Sequence, residues 1–118
     1  MIRPIGLALV LGAGCAFSAA GQTDKIVGVG AVPCAQFSAE IARTPTAERD
    51  FLAWAQGFMS GALIRSPPGV DEGLDLTPPG FPLLRQAEFL RSYCQAHPEQ
   101  DFMDAVHALY RTLRTPPT

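Results

Sequence analysis

Charge is scarce in this sequence and neither sign dominates: 17% of its 118 residues are Asp, Glu, Lys or Arg, and the formal net charge is -2. Lysine occurs once, at Lys25. Such a balance excludes a disordered polyelectrolyte and a strongly basic nucleic-acid binder. No segment shows the apolar–polar alternation of a half-buried strand. After the first twenty residues, no apolar run reaches the length of a membrane span. The two histidines, His97 and His107, are too far from each other and from the cysteines to form a zinc-ligand spacing. Gly28-Val29-Gly30 lacks the further glycine, the lysine and the following helix of a phosphate loop, so it reads as a site of close backbone packing. Ser60 within Gly57-Phe58-Met59-Ser60-Gly61 has the wrong spacing for a nucleophile elbow. The acid pairs Asp71-Glu72 and Asp101/Asp104 come without the ligand set of a calcium loop. The chain is therefore expected to be no enzyme and to carry no metal or cofactor.

What is present begins with a tripartite N-terminus. Arg3 supplies one positive charge, Ile5 to Phe17 is uncharged and apolar, and Ser18-Ala19-Ala20 offers a small-x-small cleavage site. That order is the secretory signal pattern, so residues 1–20 are read as a cleaved signal peptide and the mature chain as soluble and periplasmic. Cys15, after Gly12-Ala13-Gly14, lacks the branched aliphatic usual at a lipoprotein attachment site, and lipidation there is not favoured. Cleavage would leave 98 residues with eight basic and eleven acidic side chains, a net of -3. That offers no case for binding nucleic acid or an anionic membrane.

Two cysteines then remain, Cys34 and Cys94. In an oxidising compartment an even pair reads as a disulfide, and closing a loop of this length is worth roughly 4 kcal/mol in the chain-entropy picture. Two free buried thiols are the alternative.

Apolar periodicity divides the rest into four helices, after a lead-in over residues 21–33. Cys34, Phe37 and Ile41 mark the first, to about Ala42. Thr44-Pro45 opens the second, with the stripe Phe51, Trp54, Ala55, Phe58 and Ala62, and Ser66-Pro67-Pro68-Gly69 stops it near Arg65. The third runs from about Pro82 to Ala96 on Leu83, Ala87, Leu90 and Cys94, and the fourth from Glu99 to about Arg114 on Phe102, Val106, Leu109 and Leu113. Glu48, Asp50, Asp101 and Asp104 stand near helix N-termini, and Arg111 and Arg114 near a C-terminus, as the helix dipole favours. Residues 115–118 are expected to fray. The expected fold is all-α: a compact bundle of about four helices over residues 34–114, stapled once.

Three groups of residues stand out as candidates for binding. Gly57 and Gly61, four apart on the second helix, make a flat strip that costs about 2 kcal/mol in helix propensity. Close helix packing inside the domain is the first explanation, and a homodimer seam the second. The long connection Ser66 to Phe81 brackets Asp71, Glu72 and Asp75 between two Pro-Pro-Gly turns. It reads first as a solvated connector, and otherwise as a loop presented to a partner. Phe51, Trp54, Phe58 and Leu90 form an apolar set that would become an exposed surface if the bundle loosened. His97 is expected at a helix end on the surface, and His107 as a partly buried structural histidine.

The series Cys34-Ala35-Gln36-Phe37, a helix holding Trp54 and Gly57, and Tyr93-Cys94 followed by Pro98 and Phe102 resembles the HdeA/HdeB superfamily of small periplasmic helical proteins. The resemblance covers roughly Cys34 to Leu113. It implies an acid-stress chaperone, dimeric at neutral pH, that loosens in acid and coats unfolding client proteins, with Phe51, Trp54, Phe58 and Leu90 as the client-binding candidates. The single lysine and the Pro-rich loop depart from that family's pattern. Trp54-x-x-Gly57-x-x-Ser60-Gly61 is also similar to the Rap/Tai immunity proteins, which neutralise cell-wall-degrading effectors, although that family tends to have further cysteines. That second resemblance implies one tight effector partner, with Asp71, Glu72 and Asp75 as the candidates to engage it.

Overall fold

In the computed structural model, Gly14 and residues 25–115 are described. Apart from Gly14, the expected signal peptide with Cys15 lies outside that range, as do the last three residues. Four α-helices are present and, among the described residues, no β-strand: α1 (Cys34–Arg43), α2 (Glu48–Ile64), α3 (Leu83–Ala96) and α4 (Phe102–Arg114). Single 3₁₀ turns over Val29–Ala31 and Pro45–Ala47 precede α1 and α2.

The N-terminus of α1 is closed by backbone from the far end of the chain. Pro33, at the cap, makes no side-chain bond. The turn between α3 and α4 supplies the acceptors: Cys34 N–H donates to the Gln100 carbonyl at 2.7 Å and Ala35 N–H to that of Pro98 at 3.2 Å. In return Phe102 N–H donates to the Val32 carbonyl at 2.8 Å. Orphan donors at a helix start need such partners. Meeting that need here sets α1 beside α3, where Cys34 and Cys94 form a disulfide with Cα atoms 4.7 Å apart. Both cysteines are fully buried.

Aromatic rings fill the centre. Phe102, at the first position of α4, has its centroid 4.8 Å from Phe37, 5.1 Å from Phe51 and 6.1 Å from Trp54. Burying one such ring contributes about 1.5–3 kcal/mol. The fourth-helix stripe is as the spacing predicts: Phe102, Val106, Leu109 and Leu113 are all buried. On α2 the buried line is Phe51, Ala55 and Met59, while Trp54 and Phe58 are half-buried at its edge.

Some boundaries and assignments need correcting. The fourth helix starts at Phe102 rather than Glu99, because Gln100 N–H turns back to the His97 carbonyl and Asp101 takes the cap. The Asp104 carboxylate accepts the Asp101 N–H at 3.0 Å, half of a capping box. Leu83 is exposed, and Gln86 instead takes the buried position one turn on. His97 caps α3 at the surface, as expected, but His107 is exposed, with Phe58 against its ring at 5.2 Å.

Candidate functional site: an acidic loop held at two points

Residues 66–81 cross from the end of α2 to the start of α3 without regular structure. Gly69, Asp71 and Gly73 all have positive φ, at 80°, 57° and 75°. The two glycines adopt that region freely; aspartate is among the few other residues that tolerate it. The resulting coil turns the Asp71 side chain inward, leaving it 9% exposed.

Three groups converge on that carboxylate. Tyr110 donates its hydroxyl to Oδ2 at 2.8 Å, and Arg114 donates Nε to Oδ1 at 2.6 Å. Ser66 Oγ lies 3.4 Å from Oδ2 and 3.1 Å from the Ala62 carbonyl, so its one proton serves either acceptor. Tyr110 and Arg114 are four apart on α4 and so share a face. Burial pushes the Asp71 carboxyl up, but the bonds from Tyr110 and Arg114 and the guanidinium charge outweigh it and hold it below the ordinary carboxylate value. The Tyr110 phenol is pushed up, first by burial and then by its bond to the Asp71 anion.

A second anchor fixes the other half of the loop. Gln86, fully buried on α3, donates Nε2 to the Leu76 carbonyl at 2.7 Å and to the Phe81 carbonyl at 3.0 Å. Facing two carbonyls fixes which end of the amide points there, since only the NH₂ can donate. Phe81 extends the anchor by packing edge-on to Phe89 at 6.2 Å.

The acidic trio of the sequence therefore divides. Asp71 is spent on holding the loop and presents no free carboxylate to a partner, a correction to its reading as a partner-binding group. Glu72 and Asp75 are exposed. Asp75 Oδ1 accepts the Thr77 N–H at 2.8 Å, a local turn bond. Tyr110 and Gln86 escaped the sequence reading, and Arg114 entered it only as a charge that complements the helix dipole. Tyr110 and Arg114 lie off the apolar stripe, and Gln86 is a polar residue at a core position.

The apolar candidates Phe51, Trp54, Phe58 and Leu90 are brought into one cluster with Phe102. Phe51 and Leu90 are buried, and Trp54 stacks on Phe58 at 5.1 Å and 18°. Gly57 and Gly61 do not pack against the domain. A methyl group at either would meet nothing within 4 Å, which corrects the intramolecular reading of that strip. Gly30 is the close-packed glycine: a Cβ there would lie 2.3 Å from the Trp54 ring. Among the described residues there is no group of three or more His, Cys, Asp or Glu side chains able to hold a metal, and no helix long and apolar enough to cross a membrane.

No protein-family model, no curated protein and no solved structure matches this chain.

Proposed function

We propose that this is a small secreted, non-enzymatic binding protein that shields unfolding clients under acid stress, in the manner of the HdeA-like proteins it resembles. The observation that carries the reading is the placement of the single staple. Cys34–Cys94 ties α1 to α3 only. The helices α2 and α4 are joined to that pair without a covalent bridge, by packing, by the Arg91–Glu48 ion pair between α3 and α2 and by the Phe102 N–H bond to the Val32 carbonyl at the start of α4, and the rings Phe51, Trp54, Phe58 and Phe102 meet where α2 and α4 face each other. Separating those helices would uncover a continuous aromatic surface while the bridge keeps the chain from unravelling. Strong acid supplies the drive. Eleven carboxylates neutralise and two histidines gain a proton while eight basic residues stay charged, so the side chains of a chain cleaved after Ala20 pass from -3 to +10. The buried disulfide supports an oxidising, secretory location.

The test is to add the purified protein to an acid-sensitive client near pH 2 and follow light scattering and dye binding. Suppressed aggregation with a dye-binding state is expected. If neither occurs, the chaperone reading is wrong.

A second reading, immunity-type inhibition of one effector enzyme, is favoured by the loop. Anchored through Asp71 and Gln86, it holds Glu72 outward in one conformation, which lowers the entropy lost on docking. Pull-down from periplasmic extract, at neutral pH and again in acid, separates the readings: one stoichiometric partner at neutral pH supports the second, and many weak clients captured in acid the first.

A further inference from the structure

The loop 66–81 has two anchors of different chemistry on two different helices. We propose that Asp71 is a releasable latch: neutralising its carboxylate frees residues 66–75 from α4, while residues 76–81 stay fixed by Gln86 and the bundle stays folded. The inference does not depend on client binding or on an effector.

The geometry assigns the two halves separate fates. In the first half, the side-chain bonds that cross to α4 end on the Asp71 carboxylate, from Tyr110 and Arg114. The second half hangs from an uncharged amide, Gln86, and from the Phe81–Phe89 contact, neither of which titrates. Ionisable groups around the latch are Glu72 on the loop, exposed to solvent, and Tyr110, Arg111 and Arg114 on α4; α2 contributes the apolar Leu63 and, just past its end, Ser66. The arginines stay charged and Tyr110 stays neutral through the acid range. Of the three side chains joined by the latch's bonds, Asp71, Tyr110 and Arg114, only Asp71 changes state there. Its lowered titration places the opening below the ordinary carboxylate range. A protonated or amidated Asp71 cannot accept the Arg114 bond as an anion, and the partly buried Tyr110 hydroxyl loses its charged acceptor.

Backbone amides report each half. Val70 N–H donates to the Pro67 carbonyl and Leu74 N–H to the Asp71 carbonyl inside the first half; Phe81 N–H donates to the Pro78 carbonyl inside the second. The experiment is amide hydrogen exchange by NMR on the full mature chain at neutral pH, wild type against Asp71→Asn. Asparagine tolerates the same positive φ, so the variant removes charge without adding backbone strain. Exchange at Val70 and Leu74 is expected to rise about tenfold or more, the ratio that loss of a hydrogen bond to a charged group corresponds to, with Phe81 and the helix amides unchanged. Unchanged Val70 and Leu74 would overturn the latch, and so would equal acceleration at Phe81 and in the helices. Should Asp71→Asn fail to fold, Tyr110→Phe loosens the same anchor from the α4 side and is expected to shift the same two amides.

Discussion

Gly30 presses its bare backbone against the indole of Trp54, so closely that a Cβ on Gly30 would sit 2.3 Å from two ring carbons. The ring cannot retreat freely, because its other neighbours are Phe58 and Phe102. Gly30→Ala should therefore destabilise the domain by about 1–3 kcal/mol, the usual range for overpacking. For a domain of this size that lowers Tm by about 4–8 °C for each kcal/mol. Calorimetry with Trp54 fluorescence checks it; an unaltered Tm and emission maximum would mean that the contact is loose.

The opposite sign is expected on α2. Added methyl groups at Gly57 and Gly61 meet open space. Alanine there restores helix propensity without a clash, so Gly57→Ala and Gly61→Ala should each stabilise the monomer by about 0.8–1 kcal/mol. Thermal melts of dilute protein test this. If a second copy covers the strip, the double variant instead dissociates more readily in sedimentation.

The disulfide should be both valuable and slow to reduce. Cys34 and Cys94 have no solvent exposure, so a reductant must wait for the fold to open. Replacing both by alanine should cost roughly 4 kcal/mol, counting loop entropy alone. Urea unfolding of the variant, and timed thiol labelling of the wild type in native buffer, measure the two effects. Rapid labelling without denaturant would contradict the burial.

Stability should fall at both ends of the pH scale through one cluster. The folded value of Asp71 lies below its unfolded one, so its contribution is complete above the ordinary carboxylate range and disappears as pH drops through the folded value. The folded value of Tyr110 lies above its unfolded one, so its contribution holds below the ordinary phenol range and disappears as pH rises through the folded value. Tyr110→Phe should remove the alkaline loss and weaken the acid one. Urea midpoints across the pH range, compared between wild type and variant, decide the matter; parallel profiles would show that other groups set both limbs.

Periodicity and punctuation made much of the bundle legible. Phe102, Val106, Leu109 and Leu113 recur on one face of α4 and are buried there. Pro67-Pro68 stops α2 where proline must, and the pairing of Cys34 with Cys94 followed from an even count in a chain bearing a secretory pattern. Local rules failed where a tertiary partner intervened. Gln86 displaces Leu83 from the interior because the returning loop brings two carbonyls that need a donor. Asp71, read as a surface charge, faces inward because Tyr110 and Arg114, 39 and 43 residues away, supply the bonds that make its burial tolerable.

Four amphipathic helices, their order and the bridge between the first and third were readable from the order of residues alone. Each depends on residues within a few turns of one another or on a chemistry with one available pair. Contacts between distant helices set which glycine is packed, which acid is spent as an anchor, and which half of the long loop hangs from a charge. Those outcomes depend on hydrogen-bond partners and van der Waals neighbours that meet when distant helices close, and spacing along the chain carries no record of that meeting.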